Sequence, residues 1–243
     1  MKLIYSLSLI LTMLSIACKN TTENQTTEET QQENLLQLTE AEKAAGWKLI
    51  FDGKSPEGWH SYLKEEVEGW TTENGELRTE GGNGDIATDG IYENFELELE
   101  WRIDSGGNSG IMYLVDERPE NPAAFMSGPE YQIIDNEHYL LPLKEVHKAG
   151  ANYALHPPLI AAANPAGEYN HAKLSVIEGK VEHWLNGKKV VAYELWTPEW
   201  EAIRDTTKFG QVPEYGSVKS GRIVLQDHGH GVSFKNIKIR SFD

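Results

Sequence analysis

The chain has 243 residues, with 22 basic and 38 acidic side chains and a formal charge of -16 at pH 7. A surface this negative repels nucleic acids and anionic membranes, so neither is expected as a partner, whereas neutral ligands such as sugars stay compatible. Cys18 is the only cysteine. One cysteine excludes both an internal disulfide and a zinc site built from cysteines.

The N-terminus has the organisation of a bacterial lipoprotein signal. Lys2 supplies a positive charge, Leu3 to Ile16 form a short apolar run, and Ala17 precedes Cys18. The run is too short to span a bilayer comfortably, and cleavage after Ala17 would leave Cys18 free for acylation. An ordinary secretory signal is the alternative, but it would leave an unpaired thiol in an oxidising compartment. We therefore expect removal of residues 1–17 and a lipid anchor in the cell envelope, periplasmic or on the cell surface.

Residues 18–37 are predicted to form a flexible tether. They are mostly Thr, Glu, Asn and Gln, a composition that buries too little apolar surface to offset the entropy of ordering. The remaining residues, 38–243, suffice for one domain with a sizeable core. Near its start, Thr39 is followed three residues later by Glu42, which is typical of a capping box and predicts a short helix over Thr39–Ala45.

Most of the domain has the pattern of short β-strands joined by tight turns. Phe95–Ile103 alternates apolar and charged residues, as expected of a strand with one buried face. Dipeptides that tolerate positive φ predict three hairpins, at Asn74–Gly75, Glu178–Gly179 and Asn186–Gly187. Further strands are expected over residues 109–115, 130–134, 222–226 and 232–239.

Two features complete this pattern towards the C-terminus. A second short helix is predicted over Thr197–Arg204, with Pro198 in its first turn. The last strand changes its apolar parity, which predicts a bulge near Lys235–Asn236. Many short strands with little helix predict an all-β fold, a two-sheet antiparallel sandwich, and we see no internal repeat or second domain.

Short motifs are spread from residue 43 to residue 243. They are Gly46–Lys54, Gly58–Trp59, Gly107–Ile111, Gly128–Asn136, Asn170–Lys173, Val181–Gly187 and Leu225–His230. Together they resemble the 3-keto-disaccharide hydrolase family, formerly a domain of unknown function. The resemblance implies a concanavalin A-like jelly roll, a sugar substrate, and cleavage of the glycosidic bond of 3-keto-disaccharides. Because a fold alone does not establish catalysis, the activity is an expectation at this point.

The predicted strand at residues 130–134 is the first candidate for a sugar site. Its period of two places Glu130 and Gln132 on one face, with Tyr131 and Ile133 on the other. A carboxylate and an amide on a concave sheet suit a sugar, whose hydroxyl groups need paired donors and acceptors. The alternative is a solvent-exposed sheet face with no ligand.

Acidic and histidine residues at strand ends are the second set of candidates. Asp135 and His138 follow that strand, and Asp227–His228–Gly229–His230 forms the turn before the last strand. Either set could act as general acid and base, or the two together could hold a divalent cation. The alternative for the second set is a plain turn in which Asp227 accepts backbone N–H bonds.

Three further residues have two interpretations each. Asn108 lies in a turn, where its side chain could bind a hydroxyl or cap the turn. Trp196 could be a stacking platform for a sugar or pack against the sandwich. His183 shares its face with Val181 and Leu185, which favours a hydrogen-bonded histidine in the core over a ligand.

Cleavage of a 3-keto glycoside needs few catalytic groups, because the carbonyl at C3 acidifies the proton on C2 and allows the C1 oxygen to leave by elimination. The resemblance leads to a hypothesis in which Glu130 or His228 is the base and Asp227 orients His228. Gln132 or Asn108 would donate hydrogen bonds to the enolate or to hydroxyl groups. The other residues expected to bind substrate are Asp135, His138, His230 and Trp196.

Other functions stay open on the sequence. A conventional glycosidase needs two carboxylates at a defined separation, but Glu130 and Asp135 have an odd spacing that places them on opposite faces of a strand. A glycan-binding module or an interaction lipoprotein would use the same fold without catalysis. No Gly-rich dinucleotide fingerprint or phosphate loop is present, so a separate sugar 3-dehydrogenase is expected to make the 3-keto substrate.

Overall fold

A computed structural model describes residues 37–242. The signal sequence, Cys18 and almost all of the tether lie outside the described residues. Helix α1 is Glu40–Ala44 and α2 is Pro198–Asp205. The strands, numbered β1 to β13 in chain order, are Lys48–Leu49, Trp59–Ser61, Thr71–Glu73, Glu76–Thr79, Ile86–Thr88, Phe95–Ile103, Asn108–Val115, Glu130–Ile134, Asn170–Ile177, Lys180–Leu185, Lys188–Glu194, Arg222–Leu225 and Val232–Ser241. Within this range no helix is long and apolar enough to cross a membrane.

The strands form two antiparallel sheets, as the sequence predicts. The larger sheet has the order β11-β10-β9-β6-β13-β4-β3, with β1 also paired to β13. The smaller sheet has the order β2-β5-β12-β7-β8. Side chains from both sheets meet in one hydrophobic core, including Phe95 and Trp101 of the larger sheet and Ile111, Tyr131 and Leu225 of the smaller one. The predicted β-sandwich is therefore confirmed.

The two outer faces of the sandwich differ in character. On the larger sheet, the charged residues that alternate with the core residues of β6 form ion pairs. Lys173 Nζ lies 2.8 Å from Glu96 Oε1, and Lys238 Nζ lies 3.0 Å from Glu98 Oε2. On the smaller sheet, the outward residues border a cavity.

Local predictions from turns and caps agree with the structure. All three predicted hairpins are present, joining β3 to β4, β9 to β10 and β10 to β11. The register of β13 shifts between Lys235 and Lys238, where Asn236 has a φ of 55°. Thr39 and Glu42 form a capping box at α1, and Thr197 caps α2 with Pro198 in its first turn. Short-range chemistry decides each of these features.

Three strands were absent from the sequence prediction. They are β1, β2 and β5, each only two or three residues long. All three residues of β2 and all three of β5 are buried, so neither strand shows the apolar and polar alternation that marks a half-exposed strand. The omission of β5 matters for the site, because it begins immediately after Asp85.

Candidate active site

A cavity of about 340 Å³ lies on the outer face of the smaller sheet. The side chains around it come from β7 and β8, from the segment after β12, from the segment before β5 and from three covering loops. They are Asp85, Asn108, Ala123, Phe125, Glu130, Gln132, Tyr153, Lys208, Gln226, Asp227 and His228. A concave polar site with several convergent hydrogen-bonding groups is typical of a small-ligand site.

Strand register brings the central polar residues together. In the pairing of β7 with β8, Gly110 lies opposite Gln132 and Met112 lies opposite Glu130. On the other side of β7, the Gln226 N–H donates to the Gly110 carbonyl at 3.0 Å. The other face of β8 carries Tyr131 and Ile133 into the core. The period-of-two prediction for Glu130 and Gln132 therefore matches the observed strand.

Glu130 is a carboxyl group in an unusual environment. Its side chain is 6% exposed, and burial raises its pKa to about 8, against the opposing influence of the Lys208 charge and with a further increase from Asp85. The space for it exists because residue 110 is a glycine. A Cβ built on Gly110 would lie 2.8 Å from Glu130 Cγ and still closer to its carboxylate oxygen. At neutral pH, Glu130 is therefore mostly protonated and can donate a proton.

Three carboxamides around Glu130 have acceptor atoms without partners. Asn108 and Gln226 are each 8% exposed and Gln132 is 1% exposed. The buried side-chain oxygens Asn108 Oδ1, Gln132 Oε1 and Gln226 Oε1 have no hydrogen-bond partner among the described residues. Buried polar atoms are nearly always paired, so these atoms are suited to a ligand that brings hydroxyl donors.

Asp85 is a second carboxyl group of the cavity, and sequence reasoning missed it. Its Oδ1 accepts the Asp227 N–H at 2.9 Å. Burial raises the pKa of Asp85 to about 6, a shift that this hydrogen bond opposes and the neighbouring Asp227 charge increases. Asp85 is therefore mostly ionised at neutral pH. Two carboxyl groups with different pKa values in one cavity are suited to paired acid and base work.

Asp227 lines the cavity, but its carboxylate is engaged in a turn network. It accepts hydrogen bonds from Thr79 Oγ1 at 2.9 Å and from the N–H groups of Gly82, Asn83 and Gly229 at 2.8 Å. Burial alone would raise its pKa, yet the backbone donors outweigh burial and hold it below the usual value. This is the capping arrangement that the sequence left open, and no hydrogen bond joins Asp227 to His228 in the described structure.

His228 is the exposed histidine of the cavity wall. Asn108 and Gln132 line the cavity as predicted, whereas four other predicted substrate-binding residues, Asp135, His138, His230 and Trp196, do not. Asp135 accepts the Gly106 N–H at 2.8 Å and the Glu137 N–H at 2.9 Å, with His138 Nδ1 at 3.1 Å. Trp196 donates its indole N–H to the Gly216 carbonyl at 2.7 Å. His230 has a buried Nδ1 with no partner among the described residues.

His183 is a core residue, as its position between Val181 and Leu185 predicts. It is fully buried, and burial lowers its pKa to about 3, which keeps the imidazole neutral. Its Nδ1 lies 3.1 Å from the Gly150 carbonyl and its Nε2 lies 3.1 Å from the Tyr113 hydroxyl. Since a carbonyl only accepts, Nδ1 donates and Nε2 accepts from Tyr113.

The loops over the cavity add an aromatic and cationic wall. Phe125, in a 3₁₀ turn after β7, is 42% exposed, and the Lys208 ammonium lies 4.7 Å from the centre of the Tyr153 ring. The loops that carry Phe125, Tyr153 and Lys208 have no periodic sequence pattern, so only the folded structure shows that these residues meet. Aromatic faces cover the C–H side of sugar rings, which makes this wall a suitable platform for one.

The open question of a divalent cation concerns the same acidic and histidine residues. Within residues 37–242, no three His, Cys, Asp or Glu side chains are grouped so as to hold a metal ion. The Asp135–His138 pair and the Asp227–His230 turn thus do not combine into one ligand set.

Two antiparallel sheets with a polar cavity on the smaller one define a lectin- and glucanase-like sandwich. A family model described as a 3-keto-alpha-glucoside-1,2-lyase-like domain matches residues 46–240, so the chain belongs to this family. A 3-keto-disaccharide hydrolase from Bacteroides thetaiotaomicron is 35% identical over 231 residues, covering 82% of this chain and 80% of that protein. The family predicted from the sequence motifs is therefore confirmed.

Two solved structures are similar to this chain in both sequence and fold. A candidate glycosyl hydrolase from Parabacteroides distasonis is 39% identical, with a TM-score of 0.83 over 86% of this chain and 100% of that chain. A second candidate glycosyl hydrolase from the same organism is 30% identical, with a TM-score of 0.64 over 81% of this chain and 99% of that chain.

Proposed function

We propose that this protein cleaves the glycosidic bond of 3-keto-glycosides such as 3-keto-disaccharides. The observation that carries the proposal is Glu130, a buried carboxyl group with a pKa raised to about 8, beside three carboxamide oxygens that have no partner among residues 37–242. Acid and base groups with displaced pKa values are found where proton transfer is catalysed. The named activity of the relative from Bacteroides thetaiotaomicron supports the choice of substrate.

The chemistry starts at the carbon beside the carbonyl. A base removes the proton from C2, and the electron pair of that C–H bond forms an enolate with the C3 carbonyl. When the enolate collapses, the bond between C1 and the glycosidic oxygen breaks, and that oxygen takes a proton. Water then adds across the C1–C2 double bond. The route needs a base, an acid for the leaving oxygen and stabilisation of the enolate.

The pKa values assign roles to the two carboxyl groups. Glu130 keeps its proton up to about pH 8 and is suited to protonate the leaving oxygen. Asp85 is ionised above about pH 6 and is suited to remove the C2 proton, with exposed His228 as the other base on the cavity wall. The role proposed for Glu130 thus changes from base, as the sequence suggested, to acid, because burial favours its neutral form.

The carboxamides complete the binding of the sugar. Asn108, Gln132 and Gln226 present acceptor oxygens and amide donors to the same cavity, which matches a ring with several hydroxyl groups. Asp227 acts as a fixed anion that joins the loop of residues 79–83 to the end of β12. Its proposed role is to hold the cavity wall in place.

The proposed function is tested by incubating the folded domain with a 3-keto-disaccharide and with its unoxidised parent. The expected result is release of monosaccharide from the keto form alone, with or without chelator. Cleavage of the parent would instead identify a conventional glycosidase. Saturable binding without any product would identify a glycan-binding module, and the proposal would then be abandoned.

We also propose that the chain is anchored in the cell envelope through an acylated Cys18. The support is the sequence Ala17–Cys18 after a short apolar run. Replacement Cys18→Ala should move the protein from the membrane fraction to the soluble fraction, and an unchanged distribution would refute the anchor. Because the substrate carries a carbonyl at C3, a separate sugar dehydrogenase must supply it.

A further inference from the structure

Among the described residues that line the cavity, Lys208 is the only lysine or arginine. The acidic residues Asp85, Glu130 and Asp227 line the same cavity. A single ammonium among carboxyl groups would ordinarily pair with one of them. Its actual contacts therefore indicate whether its charge is already neutralised by the protein.

The ammonium of Lys208 has ring faces as neighbours instead of carboxylates. No carboxylate of the described residues lies within ion-pair distance, 4.0 Å, of Lys208 Nζ, whereas other lysines of residues 37–242, such as Lys173, Lys189 and Lys238, have a carboxylate within that distance. The centres of the Tyr153, Phe209 and Phe125 rings lie 4.7, 5.0 and 5.5 Å away. Aromatic rings attract a cation only weakly, and they carry no full negative charge that would neutralise the ammonium. The positive charge thus remains available to a ligand.

The backbone that carries Lys208 is held in place. Thr207 caps the 3₁₀ helix Lys208–Gln211 by accepting the Phe209 N–H at 3.1 Å. The buried Phe209 ring stacks on Tyr215 with their centres 3.8 Å apart. Tyr153, which lies under the ammonium, donates its backbone N–H to the Glu130 carbonyl at 3.0 Å. Lys208 is thereby held beside the strand that carries the acid.

We propose that Lys208 is a catalytic residue whose ammonium holds the C3 oxygen of the keto sugar while that oxygen gains negative charge. This inference rests on the proposed function. When the base takes the C2 proton, the C–H electron pair becomes the C2–C3 double bond, and the carbonyl pair moves onto oxygen beside Lys208. The oxygen pair then re-forms the C3 carbonyl, the C2–C3 pair becomes the C1–C2 double bond, and the C1–O bond breaks with its pair on the departing oxygen, which Glu130 protonates. Lys208 keeps its own proton throughout.

Such a role requires a charge aimed at the position where charge develops in the transition state. A preorganised donor of this kind acts on turnover more than on substrate binding. The carboxamides bind hydroxyl groups that are present before and after the reaction, so their loss acts mainly on affinity. Kinetics can therefore distinguish the two roles, because loss of Lys208 should lower kcat whereas loss of a carboxamide should raise KM.

The test compares Lys208→Met and Lys208→Arg with the wild-type protein on one 3-keto-disaccharide. Lys208→Met is expected to lower kcat about 100-fold or more, with KM changed by less than about threefold. Lys208→Arg keeps the positive charge and should recover part of the lost turnover. Lys208 is exposed, so both variants should unfold at the wild-type temperature, which circular dichroism checks.

Lys219 provides a matched control. It is also an exposed lysine over an aromatic ring, with its Nζ 5.4 Å from the centre of Trp196, but it does not line the cavity. Lys219→Met should leave kcat unchanged. A folded Lys208→Met protein with wild-type kcat, or with only KM raised, would overturn the role of Lys208 and leave the proposed function standing. Failure of the wild-type protein to cleave the keto substrate would overturn both.

Discussion

Two buried polar regions of this sandwich use their hydrogen-bonding atoms in opposite ways. In the core, Tyr193, Tyr113, His183 and the Gly150 carbonyl form a continuous chain in which both imidazole nitrogens have partners. In the cavity, the side-chain oxygens of Asn108, Gln132 and Gln226 have no partner in the part of the chain that the structure describes. Burying an unpaired polar atom costs free energy, so a paired network supports the fold, whereas unpaired atoms point to a ligand.

Replacement of the cavity acid should give the largest effect. Glu130→Gln keeps the shape of the neutral carboxyl but cannot give up a proton, so turnover of a 3-keto-disaccharide should fall about 100-fold or more. The melting temperature of Glu130→Gln at neutral pH should not fall below that of the wild type, because at that pH the unfolded wild-type chain loses the Glu130 proton and the folded protein keeps it. Turnover is measured by monosaccharide release. Wild-type turnover in Glu130→Gln would remove Glu130 from the mechanism.

Replacement of a residue in the hydrogen-bonded series of the core should change the stability of the fold instead of turnover. His183→Leu removes both hydrogen bonds of the imidazole and leaves the buried Gly150 carbonyl without its side-chain donor, whereas the Tyr113 hydroxyl keeps its contact with Tyr193. The free energy of unfolding should fall by about 1–3 kcal/mol for an orphaned buried group. Urea denaturation measures it. A stability equal to that of the wild type would show that the chain contributes nothing to the fold.

Replacement of a cavity carboxamide should weaken substrate binding and leave the stability of the fold almost unchanged. Asn108→Leu removes a buried oxygen that has no partner among the described residues, so the free energy of unfolding should stay within about 1 kcal/mol of wild type. The KM for the keto substrate should rise about tenfold from the loss of one hydrogen bond. Comparison with His183→Leu sharpens the contrast. A variant that loses stability but keeps its KM would assign Asn108 to the fold.

The pH dependence of stability should also reflect the raised pKa of Glu130. Glu130 titrates near 4.5 in the unfolded chain and near 8 in the folded protein, so between these values only the unfolded state loses its proton. Rising pH therefore destabilises the folded state relative to a variant that cannot ionise. The melting temperature of Glu130→Gln minus that of the wild type should increase from pH 5 to about pH 8. A flat difference would mean that the pKa of Glu130 is not raised.

The sequence predicts this site where a single strand carries it. Alternation along Glu130–Ile134 places Glu130 and Gln132 on one face, and the same periodicity assigns His183 to the core. Asp85 escapes such reasoning because β5 is three buried residues with no alternation. Lys208 and Phe125 lie in irregular loops, and only tertiary packing brings them to the cavity.

Asp227 illustrates a different limit of sequence reasoning. Its motif predicts either chemistry or a turn, and the sequence cannot choose between them. The choice depends on the loop of residues 79–83, whose N–H groups reach Asp227 from about 145 positions away in the chain. Local signals therefore predict hairpins, caps and faces, whereas contacts between distant segments decide which acidic side chain stays free.

Gly110 has a consequence for how this fold can diversify. The Glu130 carboxyl occupies the volume that a β-carbon at position 110 would need, and the three atoms nearest to that β-carbon all belong to Glu130. One added methyl group would thus displace the proposed acid without removing any polar side chain of the cavity. Loss of cleavage would then require no more than a single added carbon atom at this position.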